Sequence, residues 1–190
     1  MYYLPSVVGI CGNIGAGKNE VAQWLNKQFG YVIRGYSDPL YRQLALLDPY
    51  IVSFDRSYLA GWYTTLRAVY GHEYMKRNYS EVRRYLRLLG SECGRDIHGA
   101  DCWVRRMDID RKDDIRTVIQ GVRFTNEVEH IKGLGGVMIW VSAPDRETPP
   151  EDHVSENAIN YAEVADYCVL NNGTLQALHT DLQGRFNGTL

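Results

Sequence analysis

The chain has 190 residues, 45% of them hydrophobic and 23% charged, which is typical of one globular domain with a buried core. Its 21 Lys and Arg residues against 23 Asp and Glu leave a net charge of −2, which gives no electrostatic reason to expect a nucleic-acid polymer as partner. Four cysteines without a CxxC pair favour reduced thiols over a disulfide framework or a zinc site. With no basic leader and only a short first apolar run, we expect a cytoplasmic protein with no membrane partner.

The first predicted strand runs directly into a glycine-rich turn. Gly12, Gly17 and Lys18 have the spacing of a phosphate-binding P-loop, in which glycines let backbone N–H groups curl around an anion and lysine adds positive charge. Residues 21–29 follow as an amphipathic helix that ends at Gly30, and its N-terminus would point at the same anion. The order predicts a nucleotide site; the alternative is a structural turn. The predicted binding residues are Gly12, Asn13, Ile14, Gly15, Ala16, Gly17, Lys18, Asn19 and Glu20.

The next elements alternate between strand and helix. Residues 31–36 predict a second short strand, and Ser37-Asp38-Pro39-Leu40 opens a helix with a capping residue before a proline. Residues 48–80 form an irregular, aromatic-rich region that we expect to be helical in part. Residues 80–89 read as a helix, and Trp103, Val104 and Met107 as the inner face of another.

The last part of the chain continues the pattern. Strands are predicted at 117–122, 136–141 and 165–170, and helices at 126–134 and 175–182. This alternation predicts an α/β fold with a parallel sheet covered by helices and a site at the carboxyl ends of the strands. Between them, residues 143–157 are polar and proline-bearing, which is consistent with a plain surface loop or with a mobile lid over the phosphates.

Together with the P-loop, five further motifs make the chain resemble the bacteriophage deoxynucleoside monophosphate kinases over nearly its whole length. The resemblance rests on the P-loop and on the blocks that follow it in fixed order: Ser37-Asp38-Pro39-Leu40, Leu89-Gly90-Ser91-Glu92-Cys93-Gly94-Arg95-Asp96, Asp101-Cys102-Trp103-Val104, Val122-Arg123-Phe124-Thr125-Asn126-Glu127 and His153-Val154-Ser155-Glu156. A set of blocks in fixed order is far more specific than any one of them.

The resemblance implies a three-layer P-loop kinase fold, with helices on both faces of the sheet. It implies a single kinase domain over residues 1–190, with a helical substrate-binding region at about 38–110 and the lid at about 143–157. The implied activity is ATP-dependent phosphorylation of deoxynucleoside 5′-monophosphates with Mg²⁺, by a homodimer that serves phage nucleotide supply in the host cytoplasm.

Two positions depart from the family pattern. The residue after the P-loop lysine is commonly Asp in the family but is Asn19 here, and the acid that usually precedes the Val-Arg-Phe block is replaced by Gly121. Both changes remove a negative charge where Mg²⁺ would lie. No residue is therefore assigned as a metal ligand.

Phosphoryl transfer requires two phosphates in line and neutralisation of the charge on the moving group, so cationic side chains are the expected machinery. We predict that Lys18 binds the β and γ phosphates, that Arg123 clamps the acceptor phosphate, and that Arg95, next to Asp96, is a second clamp. Arg146 in the lid segment could close over the transferring group.

The remaining candidates keep two interpretations each. Asp38, after Ser37, either accepts from the deoxyribose hydroxyl or caps a helix. Trp103 either stacks on a base or packs in the core, and Glu127 either binds a base edge or orients Arg123. His153 and Glu156 match the family, and a role in capping or hinging the lid is the plainer interpretation.

Two other functions remain open. One is a different small-molecule P-loop kinase, such as one that phosphorylates a sugar hydroxyl of a coenzyme precursor and needs an acidic general base. The other is a nucleotide-binding regulatory protein without turnover, which Asn19 and Gly121 favour and the arginines of the acceptor clamp oppose.

Overall fold

The computed structural model describes residues 4–52, 60–110, 114–144 and 159–186. These residues divide into two compact units: one formed by residues 1–36 and 107–190, and one formed by residues 37–106. The bounds of the second unit nearly coincide with those of the helical region expected at 38–110. Its role in substrate binding remains a prediction. In the described ranges, no helix is both long enough and apolar enough to cross a membrane.

The first unit is built on a five-stranded parallel sheet. Its strands are β1 (Val7–Cys11), β2 (Val32–Arg34), β5 (Thr117–Gln120), β6 (Val137–Ser142) and β7 (Tyr167–Leu170). They lie in the order β2-β5-β1-β6-β7, so β1 is central and its carboxyl end lies between those of β5 and β6. The sheet type, predicted from the strand–helix alternation, is confirmed.

Helices cover both faces of this sheet. They are α1 (Lys18–Phe29), α8 (Thr125–Gly133), α9 (Tyr161–Val164) and α10 (Leu175–Phe186). Helix α10 is four residues longer than the helix predicted at 175–182. On one face, Val8 and Ile10 of β1 pack with Leu25 of α1 and Leu182 of α10. On the other, a Cβ at Gly9 would collide with Met138 and with Ile131 of α8, so glycine allows α8 to approach closely. The result is the three-layer α/β arrangement.

The second unit is helical with a short hairpin. It contains α2 (Asp38–Leu47), the antiparallel pair β3 (Tyr50–Ile51) and β4 (Gly61–Trp62), α3 (Tyr63–Tyr70), α4 (His72–Asn78), α5 (Ser80–Arg87) and α6 (Asp96–His98). Helix α7 (Cys102–Asp110) returns the chain to the first unit. The unit has its own apolar core, formed by Leu44, Ile51, Tyr63, Leu66, Met75, Tyr79 and Val82.

A π-helix follows α5 directly. The helix predicted for residues 80–89 begins at Ser80, but from Leu88 to Arg95 its hydrogen bonds widen to the π pattern. Such stretches are rare and are found disproportionately at functional sites. This one coincides with the Leu89-to-Asp96 block singled out from the sequence.

Candidate active site

The loop between β1 and α1 has a backbone that only glycines accommodate at three points. Gly12, Gly15 and Gly17 have φ angles of 140°, 76° and 100°, in the left-handed region. A Cβ at Gly12 would also collide with the carbonyl oxygen of Val141 on β6, whereas the space around Gly15 is open. The glycines thus give the loop its curvature against the sheet and leave its outer side clear for an anion.

Lys18 is the first residue of α1 and lies over this loop. Its Nζ donates to the carbonyl oxygens of Gly12 at 2.7 Å and Asn13 at 2.8 Å. The ammonium group is therefore held beside the loop before any ligand binds, next to the amino end of α1, where an anion is stabilised by the helix dipole. The lysine and the helix terminus thus lie together at this loop, and phosphate binding there remains a prediction.

Asn171 supports the loop from β7, and the sequence did not single it out. Its side chain is buried, and its Nδ2 donates to the carbonyl oxygen of Ala16 at 2.8 Å. Its backbone N–H donates to the carbonyl oxygen of Ser142 at 2.7 Å. A Cβ at Gly17 would collide with this amide. The one signal available was a polar residue directly after the strand predicted at 165–170.

Arg123 follows β5, the strand beside β1. The backbone N–H of Val122 donates to the carbonyl oxygen of Ile10 at 3.0 Å, which keeps this segment next to the end of β1. Glu127 is buried, and its Oε2 accepts from the backbone N–H groups of Arg123 at 2.9 Å and Phe124 at 3.3 Å. Of the two roles considered for Glu127, this geometry favours orienting Arg123, through its backbone, while capping the amino end of α8.

The second unit carries the other acceptor candidates. Ser37 occupies the N-cap position of α2 without a side-chain capping bond, and Asp38 begins the helix. Arg95 ends the π-helix, and its Nη1 donates to the carbonyl oxygen of Ala100 at 2.9 Å, which closes the short segment that starts at Asp96. One guanidinium donor of the predicted second clamp is thus engaged within its own segment.

Trp103 packs inside the second unit. Its indole is 8% exposed, its Nε1 donates to the carbonyl oxygen of Gly90 at 2.8 Å, and its ring lies against Gly94. Gly90 and Gly94 both belong to the π-helix. The indole therefore braces that helix, which favours the packing interpretation over base stacking.

Three predicted residues, Arg146, His153 and Glu156, lie outside the described residues, as does most of the expected lid. Cys11 lies at the end of β1 below the loop. Burial raises the pKa of its thiol to about 12, so the group is neutral and acts in packing.

The donor set near the loop fits an Mg²⁺ ion held mainly by phosphate oxygens and water. Asn19 is exposed, and Glu20 in the first turn of α1 supplies one carboxylate. Within the described ranges, no group of three or more His, Cys, Asp or Glu side chains could form a protein cage for a metal. Mg²⁺ typically keeps several waters and takes few protein ligands, so Asn19 and Glu20 are the candidates for that limited contact.

Comparison with known proteins decides the family. A sequence model of the family described as deoxynucleotide monophosphate kinase matches residues 18–182. The chain belongs to the deoxynucleotide monophosphate kinase family. This kinase is 23% identical, over 93% of each chain, to a protein of Acanthamoeba polyphaga mimivirus described as "Putative deoxynucleotide monophosphate kinase".

Two solved structures are similar to this kinase at lower identity. Shikimate kinase from Aquifex aeolicus is 11% identical, with 94% of this chain and 97% of that chain covered and a TM-score of 0.46. Dephospho-CoA kinase from Campylobacter jejuni is 12% identical, with 96% and 98% covered and a TM-score of 0.46. The family membership predicted from the motif blocks is confirmed by the match of the family model to residues 18–182.

Proposed function

We propose that this kinase transfers the γ-phosphoryl group of ATP to a deoxynucleoside 5′-monophosphate, as part of phage nucleotide supply in the host cytoplasm. The observation that carries the proposal is that Lys18 follows β1 and Arg123 follows the adjacent strand β5, in a chain of this family. Transfer breaks the bond between the γ phosphorus and its bridging oxygen and forms one to an acceptor phosphate oxygen, giving ADP and the deoxynucleoside diphosphate.

Each residue has a defined task in this proposal. The loop N–H groups and Lys18 bind the ATP phosphates, and Arg123 binds the acceptor phosphate with its planar fork. Because an ionised acceptor phosphate is already nucleophilic, no general base is required, and rate comes from positioning and charge neutralisation. Mg²⁺, when bound with ATP, would supply further neutralisation of phosphate charge.

The charge of the second unit supports its assignment to the acceptor. Residues 37–106 carry eleven Lys and Arg against eight Asp and Glu, whereas the rest of the chain carries ten against fifteen. A positive unit in a chain of net negative charge attracts an anionic small substrate. Ser37, Asp38 and Arg95 are the candidates here, and Arg146 in the lid segment is proposed to act on the transferring group.

A coupled assay of ATP consumption against a panel of acceptors tests the function. We expect turnover with one or more deoxynucleoside monophosphates. Turnover only with a hydroxyl acceptor would favour a different small-molecule kinase, and ATP binding without any turnover would favour a regulatory protein, as the changes at Asn19 and Gly121 would suggest. Size-exclusion chromatography of the same sample tests the proposed homodimer.

Lys18→Ala should abolish transfer while the fold remains intact, because it removes a charged contact to the β and γ phosphates from a loop. Lys27→Ala is the matched control: it removes an exposed lysine from the last turn of the same helix and should leave kcat unchanged. Turnover of Lys18→Ala within a few-fold of the parent would contradict the P-loop assignment.

A further inference from the structure

A chain of hydrogen bonds outside the P-loop links three side chains of the first unit. Tyr36 Oη lies 2.7 Å from Nδ1 of His130, and Nε2 of His130 lies 2.7 Å from Oδ1 of Asp108. Because a carboxylate oxygen only accepts, Nε2 of His130 carries a proton and donates to Asp108. We call Asp108, His130 and Tyr36 the relay.

The relay is attached to the capping group of α8. Tyr36 Oη also lies 3.2 Å from the backbone oxygen of Glu127, whose buried carboxylate accepts from the N–H groups of Arg123 and Phe124. Glu127 thus accepts the Tyr36 hydrogen bond with its backbone oxygen and orients Arg123 with its side chain. A shift of the Tyr36 hydroxyl would therefore act on the segment that carries Arg123.

The relay also joins segments of the first unit that are distant in sequence. Tyr36 is the last residue of the first unit before Ser37 and Asp38, and Asp108 is the second residue after the chain returns. Both are bound to the same imidazole, on α8. The segment after β2 and the helix α7, which precedes β5, are therefore held together by one side chain of α8.

The surroundings of Tyr36 exclude a nucleophilic role. The side chain is 5% exposed, and its hydroxyl faces His130 and a helix carbonyl. Burial, reinforced by the carboxylates of Glu127 and Asp108, raises the pKa of the phenol well above its ordinary range. Tyr36 therefore remains a hydrogen-bond donor at any working pH, which suits a fixed tether.

We propose that Asp108, His130 and Tyr36 are positioning residues that hold the segment carrying Arg123 in place for the acceptor phosphate. The effect on substrate rests on the proposed function, whereas the effect on the Arg123 segment does not. Removing the Tyr36 hydroxyl should weaken monophosphate binding and loosen residues 121–128 without altering the P-loop.

Tyr36→Phe tests the relay, with Tyr31→Phe as its matched control. Tyr31 is equally buried in the same unit, and its hydroxyl donates to the Pro5 carbonyl, before the start of β1 and away from the carboxyl ends of the strands. We expect Tyr36→Phe to raise the KM for the monophosphate roughly two- to tenfold, as for loss of one hydrogen bond, with the KM for ATP unchanged. Tyr31→Phe should lower the Tm without moving either KM.

Hydrogen exchange provides the readout that does not depend on activity. In Tyr36→Phe and in His130→Asn, amide exchange of the segment 121–128 should become faster, and in Tyr31→Phe it should match the parent. The double variant should be no looser than the looser single variant, because both changes break one chain of bonds. Unchanged exchange in Tyr36→Phe, or equal loss of affinity for ATP and monophosphate, would overturn the relay. A parent without monophosphate kinase activity would instead overturn the proposed function, and exchange would then decide the relay alone.

Discussion

Arg123 is positioned through its backbone, which leaves the chemistry of its guanidinium to be tested directly. Arg123→Lys keeps the charge but loses the bidentate fork. If the guanidinium binds the acceptor phosphate, kcat/KM for the monophosphate should fall roughly tenfold or more, the equivalent of about 1.5–3 kcal/mol for a charged hydrogen bond. The KM for ATP should barely change, because the P-loop and Lys18 hold its phosphates.

Arg116→Lys is the structural comparison for this variant. The Arg116 guanidinium lies over the Tyr31 ring at 4.5 Å, and its Nη2 donates to the Leu4 carbonyl oxygen at 3.1 Å. Its replacement should lower the Tm and leave both KM values in place. If Arg123→Lys behaves in this way, or weakens both substrates equally, the clamp role is wrong.

Replacement of Asn171 should affect the binding of ATP rather than that of the monophosphate. Asn171→Ala removes the amide that supports Ala16 and leaves a loop carbonyl unpaired, at a cost of about 1–3 kcal/mol. Because the support lies under the P-loop, we expect the KM for ATP to rise while that for the monophosphate holds. Asn172→Ala, at the exposed neighbouring position, should change neither. Equal effects of the two variants would show that Asn171 does not shape the loop.

At the scale of elements, the π-helix depends on the fit between Gly94 and Trp103. A Cβ at residue 94 would collide with the indole and lie 2.8 Å from the Leu89 carbonyl oxygen. Gly94→Ala should therefore destabilise the protein by about 1–3 kcal/mol through overpacking, seen as a Tm lowered by several degrees. Gly184→Ala, in the open, exposed part of α10, should hold or raise the Tm, since alanine favours helix. An unchanged Tm in Gly94→Ala would show that the π-helix is not braced by this contact.

The elements that could be predicted are those whose signal is local. The P-loop follows from the spacing of Gly12, Gly17 and Lys18, because the chemistry of the anion requires those residues within one turn. The helix predicted for residues 80–89 covers only the first two residues of the π-helix, and the packing of Trp103 against it involves a residue outside that window. Asn171 gave no local signal for its contact either: it follows β7 and contacts Ala16, which follows β1, and β6 lies between these two strands.

At the scale of the whole molecule, the strand–helix alternation was enough to predict the parallel sheet, because parallel strands require crossovers and read as continuous apolar runs. It did not predict the strand order, which is set by contacts between distant segments. Residues 48–80, expected to be irregular and helical in part, contain a short antiparallel strand pair and two helices in their described part, with a separate apolar core. Their aromatic side chains show no regular helical or strand spacing, so the bounds of these elements could not be predicted from the sequence.

A histidine that contacts Tyr63 of that core links stability to pH. His72 is partly buried: its Nδ1 lies 3.2 Å from Tyr63 Oη, the Tyr41 ring centroid is 3.9 Å away, and its buried Nε2 has no hydrogen-bond partner among the described residues. Burial, aided by Lys76 and Arg67 and opposed by Glu73, lowers the pKa of His72 below its ordinary value of 6.5. The folded state therefore favours the neutral ring.

The sign of the effect follows from proton binding. Above about pH 6.5 the ring is neutral in both states, and its contribution to stability is complete; as the pH falls, the unfolded chain binds a proton that the folded chain resists, so the free energy of unfolding declines. We expect His72→Gln to lose less stability than the parent between about pH 7.5 and 5.5 in urea unfolding. His98→Gln, at an exposed histidine, should retain the full decline of the parent. If His72→Gln instead follows the parent over that range, protonation of His72 does not limit the stability of this core in acid.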